Sequence, residues 1–278
     1  MNVTDKGIKC SHPLIEDSPQ KNSSESEGYM GVHNSLGITE NNITNANESR
    51  ERMLERILDR NNLNNAFKRV KSNKGAHGID GMEVDELLQY LKDNGDALKQ
   101  SILDGKYRPN PVRRAEIPKE NGKKRNLGIP TVVDRVIQQA IAQVLSPISE
   151  EQFSDNSYGF RPRRSAHQAI RKCQDNIQQG YKYAVDMDLE KYFDTVNQSK
   201  LIELLSRTIK DGRVISLIHK YLRAGVVIRN KFEETEQGVP QGGLCKALHN
   251  PPYAKKVIMQ SSLLRDLQPL VNSLIYFA

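Results

Sequence analysis

The chain has 278 residues, of which 27% are charged and 6% aromatic, and its formal net charge is +7. That length holds one large domain or two small ones with a sizeable core, and the basic balance suits a polyanion, because Lys and Arg bind phosphates by releasing counterions. No apolar run is long enough to span a bilayer and the N-terminus lacks a hydrophobic signal core, so the expectation is a cytoplasmic protein with no membrane partner.

Charge is unevenly spread. Residues 1–48 hold three Lys/Arg against seven Asp/Glu, whereas residues 105–135 hold nine Lys/Arg against three acids. Residues 161–172 hold five Lys/Arg and no acid. Cys10, Cys173 and Cys245 are too few and too scattered for a disulfide framework or a zinc site, and read as free thiols in a reducing compartment.

Residues 1–47 are rich in Asn, Ser, Glu and Gly, and such a segment buries too little to offset its ordering entropy; it is expected to be disordered. Met53, Leu54, Ile57, Leu58, Leu63, Ala66, Phe67 and Val70 then recur at helical spacing, as one amphipathic helix or two in sequence. After a Gly-rich break at 75–81, Val84, Leu87, Leu88 and Leu91 predict another helix, and Ala97, Ile102 and Leu103 a short third one. Residues 112–117 and 124–129 read as strands of a hairpin turning at Asn121-Gly122, both tolerant of positive φ. Helices follow at 131–145 and 165–179, opened by Thr131 with Asp134 and Ser165 with Gln168. A short strand at 182–188 leads to helices near 198–210 and 213–223, and a second hairpin, 225–229 and 232–237, turns at Asn230-Lys231.

Two segments carry chemistry. In Tyr183-Ala-Val-Asp-Met-Asp-Leu-Glu-Lys-Tyr-Phe-Asp-Thr-Val196 an apolar strand ends in Asp186 and Asp188, which share a face, and a carboxylate there must stay wet, pair with a cation or bind a metal. Hard oxygen ligands at a strand end suit Mg²⁺, which takes one or two carboxylates plus substrate phosphates and water. Gly238-Val-Pro-Gln-Gly-Gly243 is a stiffened turn whose glycines admit close backbone approach.

These segments resemble the palm motifs of reverse transcriptases of the bacterial group II intron type. The resemblance extends to Lys74–Gly81, Val112–Lys119, Lys124–Arg135 and Phe153–His167, covering about residues 50 to 243 in the family's order. It implies an α+β right-hand polymerase with fingers at 48–180, including the hairpin 112–129, and an incomplete palm at 181–243, followed by a divergent tail at 244–278. It implies RNA-directed DNA synthesis and assistance to intron splicing, with RNA template or intron RNA, DNA primer and dNTP as partners and Mg²⁺ as cofactor. Asp188 would be catalytic and a metal ligand, with the Leu189 carbonyl a further ligand and Asp186 outside the metal shell. Lys119 and Arg125 would grip the triphosphate, Phe193 would exclude a ribose 2′-hydroxyl, and Gln241 would meet the sugar. Arg113, Arg114, Arg161, Arg163 and Arg164 would contact RNA, the last three beside Tyr158 and Phe160. Lys123 and Lys124 read as solvated turn residues, and His77 and His167 receive no catalytic role.

The family's Tyr-x-Asp-Asp turn, which supplies two more metal-binding aspartates, has no counterpart: after Glu236 the only acid is Asp266. The expectation is therefore a C-terminally truncated relative, inactive by itself. The alternatives are a non-catalytic, maturase-like RNA-binding protein and a non-functional remnant.

Overall fold

The computed structural model describes residues 52–118, 124–159, 161–181 and 192–239. The first periodic stretch forms two helices, α1 (Met53–Ile57) and α2 (Arg60–Ser72). Asp59 separates them, its carboxylate accepting from the N–H of Asn61 at 2.8 Å and of Asn62 at 3.2 Å. An N-cap of this type satisfies amide groups that have no partner within the helix.

The next stretch forms one helix, α3 (Leu87–Leu103), where two were expected. Its apolar spacing continues through Leu98 to Ile102, and Gly95 in mid-helix costs only about 1 kcal/mol relative to Ala. Val84 lies ahead of the helix rather than within it.

β1 (Val112–Pro118) and β2 (Lys124–Ile129) pair antiparallel as expected, with Arg113 opposite Ile129 and Ile117 opposite Arg125. α4 (Val132–Glu150) runs past the predicted end at 145. Pro147 removes one ladder hydrogen bond but leaves the following turn helical. Asn62 and Gln143 join α2 to α4: Asn62 donates to the Ala140 carbonyl at 3.1 Å and Gln143 to Asn62 Oδ1 at 2.7 Å.

α5 (Ala166–Gln178) opens with the full reciprocal cap of Ser165 and Gln168. The short α6 (Tyr192–Thr195), α7 (Gln198–Thr208) and α8 (Gly212–Leu222) follow, then β3 (Val226–Ile228) and β4 (Lys231–Glu233). The second hairpin turns one residue earlier than expected. Ile228 pairs with Lys231, which leaves Arg229 (φ 48°) and Asn230 (φ 65°) as a two-residue loop. Two successive positive φ angles match the twist of the flanking strands, and this shortens both strands.

The hairpins join into one sheet of order β2-β1-β3-β4 through a parallel pairing of β1 with β3, Val112 opposite Val226 and Arg113 opposite Val227. The core lies beside this sheet. α4 packs on α1 and α2, α7 on α8, and α1 on α8. Met53, Ile57, Ile137, Ile141, Leu204, Leu205 and Ile218 are all but fully buried, each side chain contributing roughly 1.5–3 kcal/mol. Leu63 and Phe67 pack on the rim of this core.

Candidate nucleotide and nucleic-acid site

The two motif segments meet through their main chains. Gly238 N–H donates to the Val196 carbonyl at 2.8 Å, and Val239 N–H to the Phe193 carbonyl at 2.7 Å. Gly238 has φ +76°, and a Cβ there would stand 2.8 Å from the Asp194 carbonyl oxygen and 2.9 Å from that of Phe193. Glycine is therefore required twice over, by backbone conformation and by approach. Phe193 is partly buried, its side chain packed against the core. Asp194 beside it is exposed.

The root of the first hairpin is fixed by a buried carboxylate. Asp134, fully buried, accepts from Tyr107 Oη at 2.6 Å, Thr131 Oγ1 at 2.7 Å and the Asn110 N–H at 3.1 Å. A carboxylate out of water needs such donors. Burial first, then the Asp134 charge, pushes the Tyr107 hydroxyl well above its ordinary pKa. The same causes raise Tyr221, whose hydroxyl is buried in this cluster. Both stay protonated at any physiological pH.

Two arginines clamp the Gly-rich loop before α3. Arg113 donates through Nε and Nη2 to the His77 carbonyl at 3.1 and 2.8 Å, and Arg135 Nη2 to the Ala76 carbonyl at 2.8 Å. Gly78 lies against the start of α4, where a Cβ would come within 2.5 Å of Thr131 Cα. Arg113, expected on RNA, thus holds this loop in the described structure. Arg114 is half-buried, with its Nε out of water. Lys124 pairs with Glu116 at 2.6 Å on the exposed hairpin, a pair of small energetic value.

The loop before α5 divides its arginines. Arg161 has a side chain only 5% exposed. Its guanidinium donates to Glu150 at 2.6 and 3.0 Å and to the carbonyls of Ser154 and Ser157 at 2.6 and 2.9 Å, and it lies 4.7 Å from the Phe153 ring centre. Its forked donors are engaged within the protein, with Glu150 and the two loop carbonyls. Arg164 stacks 5.4 Å from the Tyr158 ring and donates to the Asp155 carbonyl at 3.2 Å. Arg163 is exposed at the tip, at φ +61°.

Asp186, Asp188, Leu189, Lys119, Phe160 and Gln241 lie outside the described residues, as does the side chain of Arg125. The fit of the site to Mg²⁺ therefore turns on residues beyond the described set. Among the described residues no group of three His, Cys, Asp or Glu side chains could hold a metal ion, and no helix is long and apolar enough to cross a membrane.

The structure adds residues to those the motifs single out. Asp134 and Arg135 position the hairpin root and the Gly-rich loop. The signal for Asp134 is an acid on the apolar side of a helix's first turn. Gln198, buried at the start of α7, has no comparable signal.

The pattern of the reverse transcriptase (RNA-dependent DNA polymerase) family matches residues 117–268, and the chain belongs to that family. The match includes residues 244–268, which the motifs leave outside. The chain is 39% identical over 204 residues to protein YkfC of Escherichia coli, covering 71% of this chain and 54% of that protein. It is 36% identical over 212 residues to the group II intron-encoded protein LtrA of Lactococcus lactis subsp. cremoris, covering 76% of this chain and 35% of that one. An uncharacterized 91 kDa protein in the cob intron of Schizosaccharomyces pombe is 33% identical over 229 residues, covering 80% and 27%. The chain thus spans about half the length of YkfC and about a third of LtrA. A solved structure, a partial Cas6-RT-Cas1–Cas2 complex, overlaps 87% of this chain and 39% of its own at TM-score 0.49 and 19% identity.

Proposed function

We propose that these residues are the fingers and the first part of the palm of a group II intron reverse transcriptase, acting in the cytoplasm on RNA template, DNA primer and dNTP and assisting the splicing of intron RNA. The observation that carries this reading is the main-chain junction of the Phe193 turn with the Gly238 strap, supported by the family match. Phe193 closes the sugar side of a nucleotide there and Gln241, which both donates and accepts, meets the sugar. Lys119 and Arg125 hold the triphosphate, Arg through a planar fork and Lys as a point charge. Asp188, with the Leu189 carbonyl, would hold Mg²⁺, which when bound activates the attacking oxygen and neutralises phosphate charge. Arg114, Arg163 and Arg164 supply the RNA surface, Arg113 joins them on leaving the His77 carbonyl, and Arg161 joins them on leaving Glu150.

Without a Tyr-x-Asp-Asp turn the 278 residues by themselves are inactive in synthesis. A second reading, a non-catalytic RNA-binding protein, draws on the same fact together with the intact basic loops.

RNA binding across a salt series tests both readings. Several phosphate contacts make affinity fall by orders of magnitude between about 50 and 200 mM salt. A flat response removes both.

A further inference from the structure

Gln198 is the first residue of α7, just behind the Asn197 cap, and is 4% exposed. Its amide nitrogen lies 3.1 Å from the Leu222 carbonyl, 3.2 Å from that of Thr235 and 3.0 Å from that of Gly238. Three carbonyls converging on one end of the amide fix its orientation, because turning the side chain over would set oxygen against oxygen. Leu222 ends α8, so its carbonyl is one of the acceptors a helix leaves without an internal partner. Thr235 and Gly238 bound the strap that leads into the Pro-Gln-Gly loop. Thr235 Oγ1 adds a second donor to Leu222 at 2.9 Å.

One NH₂ group therefore holds the end of α8 and both ends of the strap against the start of α7. The same strap is joined to the Phe193–Val196 turn by the Gly238 and Val239 amides. Gln198 Oε1 is buried with no hydrogen-bond partner, and a stranded acceptor is unfavourable. The position thus keeps an amide despite its oxygen, for the sake of its donors.

We propose that Gln198 is a positioning residue for nucleotide binding: it sets the separation between the Gly238-Val239 strap and Phe193, acting through the main chain and touching neither nucleotide nor metal. The nucleotide part of this inference rests on the polymerase reading above; the mechanical part does not. Gln198→Met keeps the volume and removes both donors. Gln198→Glu keeps the shape and, when ionised, turns an acceptor toward three carbonyls; protonation returns one donor.

The test is amide hydrogen exchange on the full chain, corrected for intrinsic rates, together with photocrosslinking of a thymidine triphosphate probe in the presence of an RNA–DNA primer-template. Exchange at Gly238 and Val239 should be at least tenfold faster in both variants, while Ile137 and Ala140 in α4 stay unchanged. In Gln198→Glu alone, protection of Gly238 and Val239 should return as pH is lowered from 8 to 5, which a loss of packing would not produce. Crosslinking should fall severalfold in Gln198→Met with RNA affinity unaltered. Wild-type protection of Gly238 and Val239 in Gln198→Met overturns the proposal. A wild-type chain that takes no label overturns the nucleotide part of this inference and leaves the polymerase reading to the RNA salt series, and the exchange rates still decide whether Gln198 holds the strap.

Discussion

The N–H of Val239 donates to the carbonyl of Phe193 at 2.7 Å, so the Phe193–Val196 turn and the strap that ends at Val239 share one hydrogen-bonded joint. A displacement of either side is transmitted to the other, which places Phe193 and the Gly238-Val239 strap under common control.

Gly238→Ala should break that joint. A non-glycine residue in the left-handed region costs about 1 kcal/mol or more, and a Cβ 2.8 Å from the Asp194 carbonyl oxygen has no flexible neighbour to displace. A total near 2–3 kcal/mol should lower Tm by roughly 4–12 °C. Gly105→Ala is the control: its φ is +68° but no atom lies within 4 Å of the added Cβ, so it carries the conformational cost alone. Equal melting temperatures for the two variants would show that the close approach at Gly238 has no energetic weight.

Arg161 and Arg163 should separate stability from RNA binding. Arg161→Ala leaves Glu150 and two loop carbonyls without their donor and should cost on the order of 2–3 kcal/mol in unfolding free energy by denaturant titration. Arg163→Gly should do the opposite, relieving a strained φ of +61° and holding or raising Tm. Its RNA affinity should nonetheless fall, with a salt slope smaller by roughly 0.7–0.9 for one lost phosphate contact. An unchanged slope in Arg163→Gly removes it from the RNA surface.

How much of this was legible follows from the kind of signal each feature sends. Periodicity and caps are local, so Thr131 and Ser165 mark helix starts that the structure reproduces. The hairpin 112–129 was legible from its turn residues, Asn121-Gly122. The parallel pairing of Val112 with Val226 joins segments over a hundred residues apart, and no local pattern announces it. Arg161 and Arg163 are the same residue type, and what buries one of them is its set of partners, Glu150 eleven residues upstream together with the Ser154 and Ser157 carbonyls. Gln198 is a polar residue following an Asn cap, and its role emerges only when three distant carbonyls are brought to it.

Acid should weaken the link between α1 and α8. Asp211 caps α8, accepts from the Leu54 N–H at 3.0 Å and pairs with Arg213 at 2.9 Å, while Arg213 reaches Glu55 at 2.7 Å. Burial opposes ionisation of Asp211, but Arg213 and the Leu54 and Arg213 amides outweigh it and hold its carboxyl below the usual range. Hydrogen bonding to Arg213 lowers Glu55 as well. A carboxyl depressed in the folded state binds fewer protons than in the unfolded chain, so its stabilisation is complete above about pH 4 and is lost as pH falls through the folded value. Tm measured from pH 6 to 2 should fall more steeply for wild type than for Asp211→Asn, with Asp211→Asn already less stable at pH 7. Parallel curves would mean that Asp211 carries no acid sensitivity.

The sharpest prediction isolates Asp188. The 278 residues alone should extend no primer on an RNA template at any Mg²⁺ concentration, because two of the three aspartates the family uses are missing from the sequence. Grafting a family palm segment with Tyr-x-Asp-Asp after Gly243 should restore extension. In that graft Asp188→Asn should abolish synthesis, since Asn keeps the size and one oxygen but not the charge that Mg²⁺ requires of its ligands. Asp186→Asn should retain measurable synthesis, its side chain being assigned outside the metal shell. Arg125→Ala and Lys119→Ala should instead raise the nucleotide concentration required roughly ten- to a hundredfold, as expected for a lost charge-assisted phosphate contact of about 1.5–3 kcal/mol. Template-dependent extension by the ungrafted, highly purified chain would refute its inactivity. A graft indifferent to Asp188→Asn would remove the catalytic assignment.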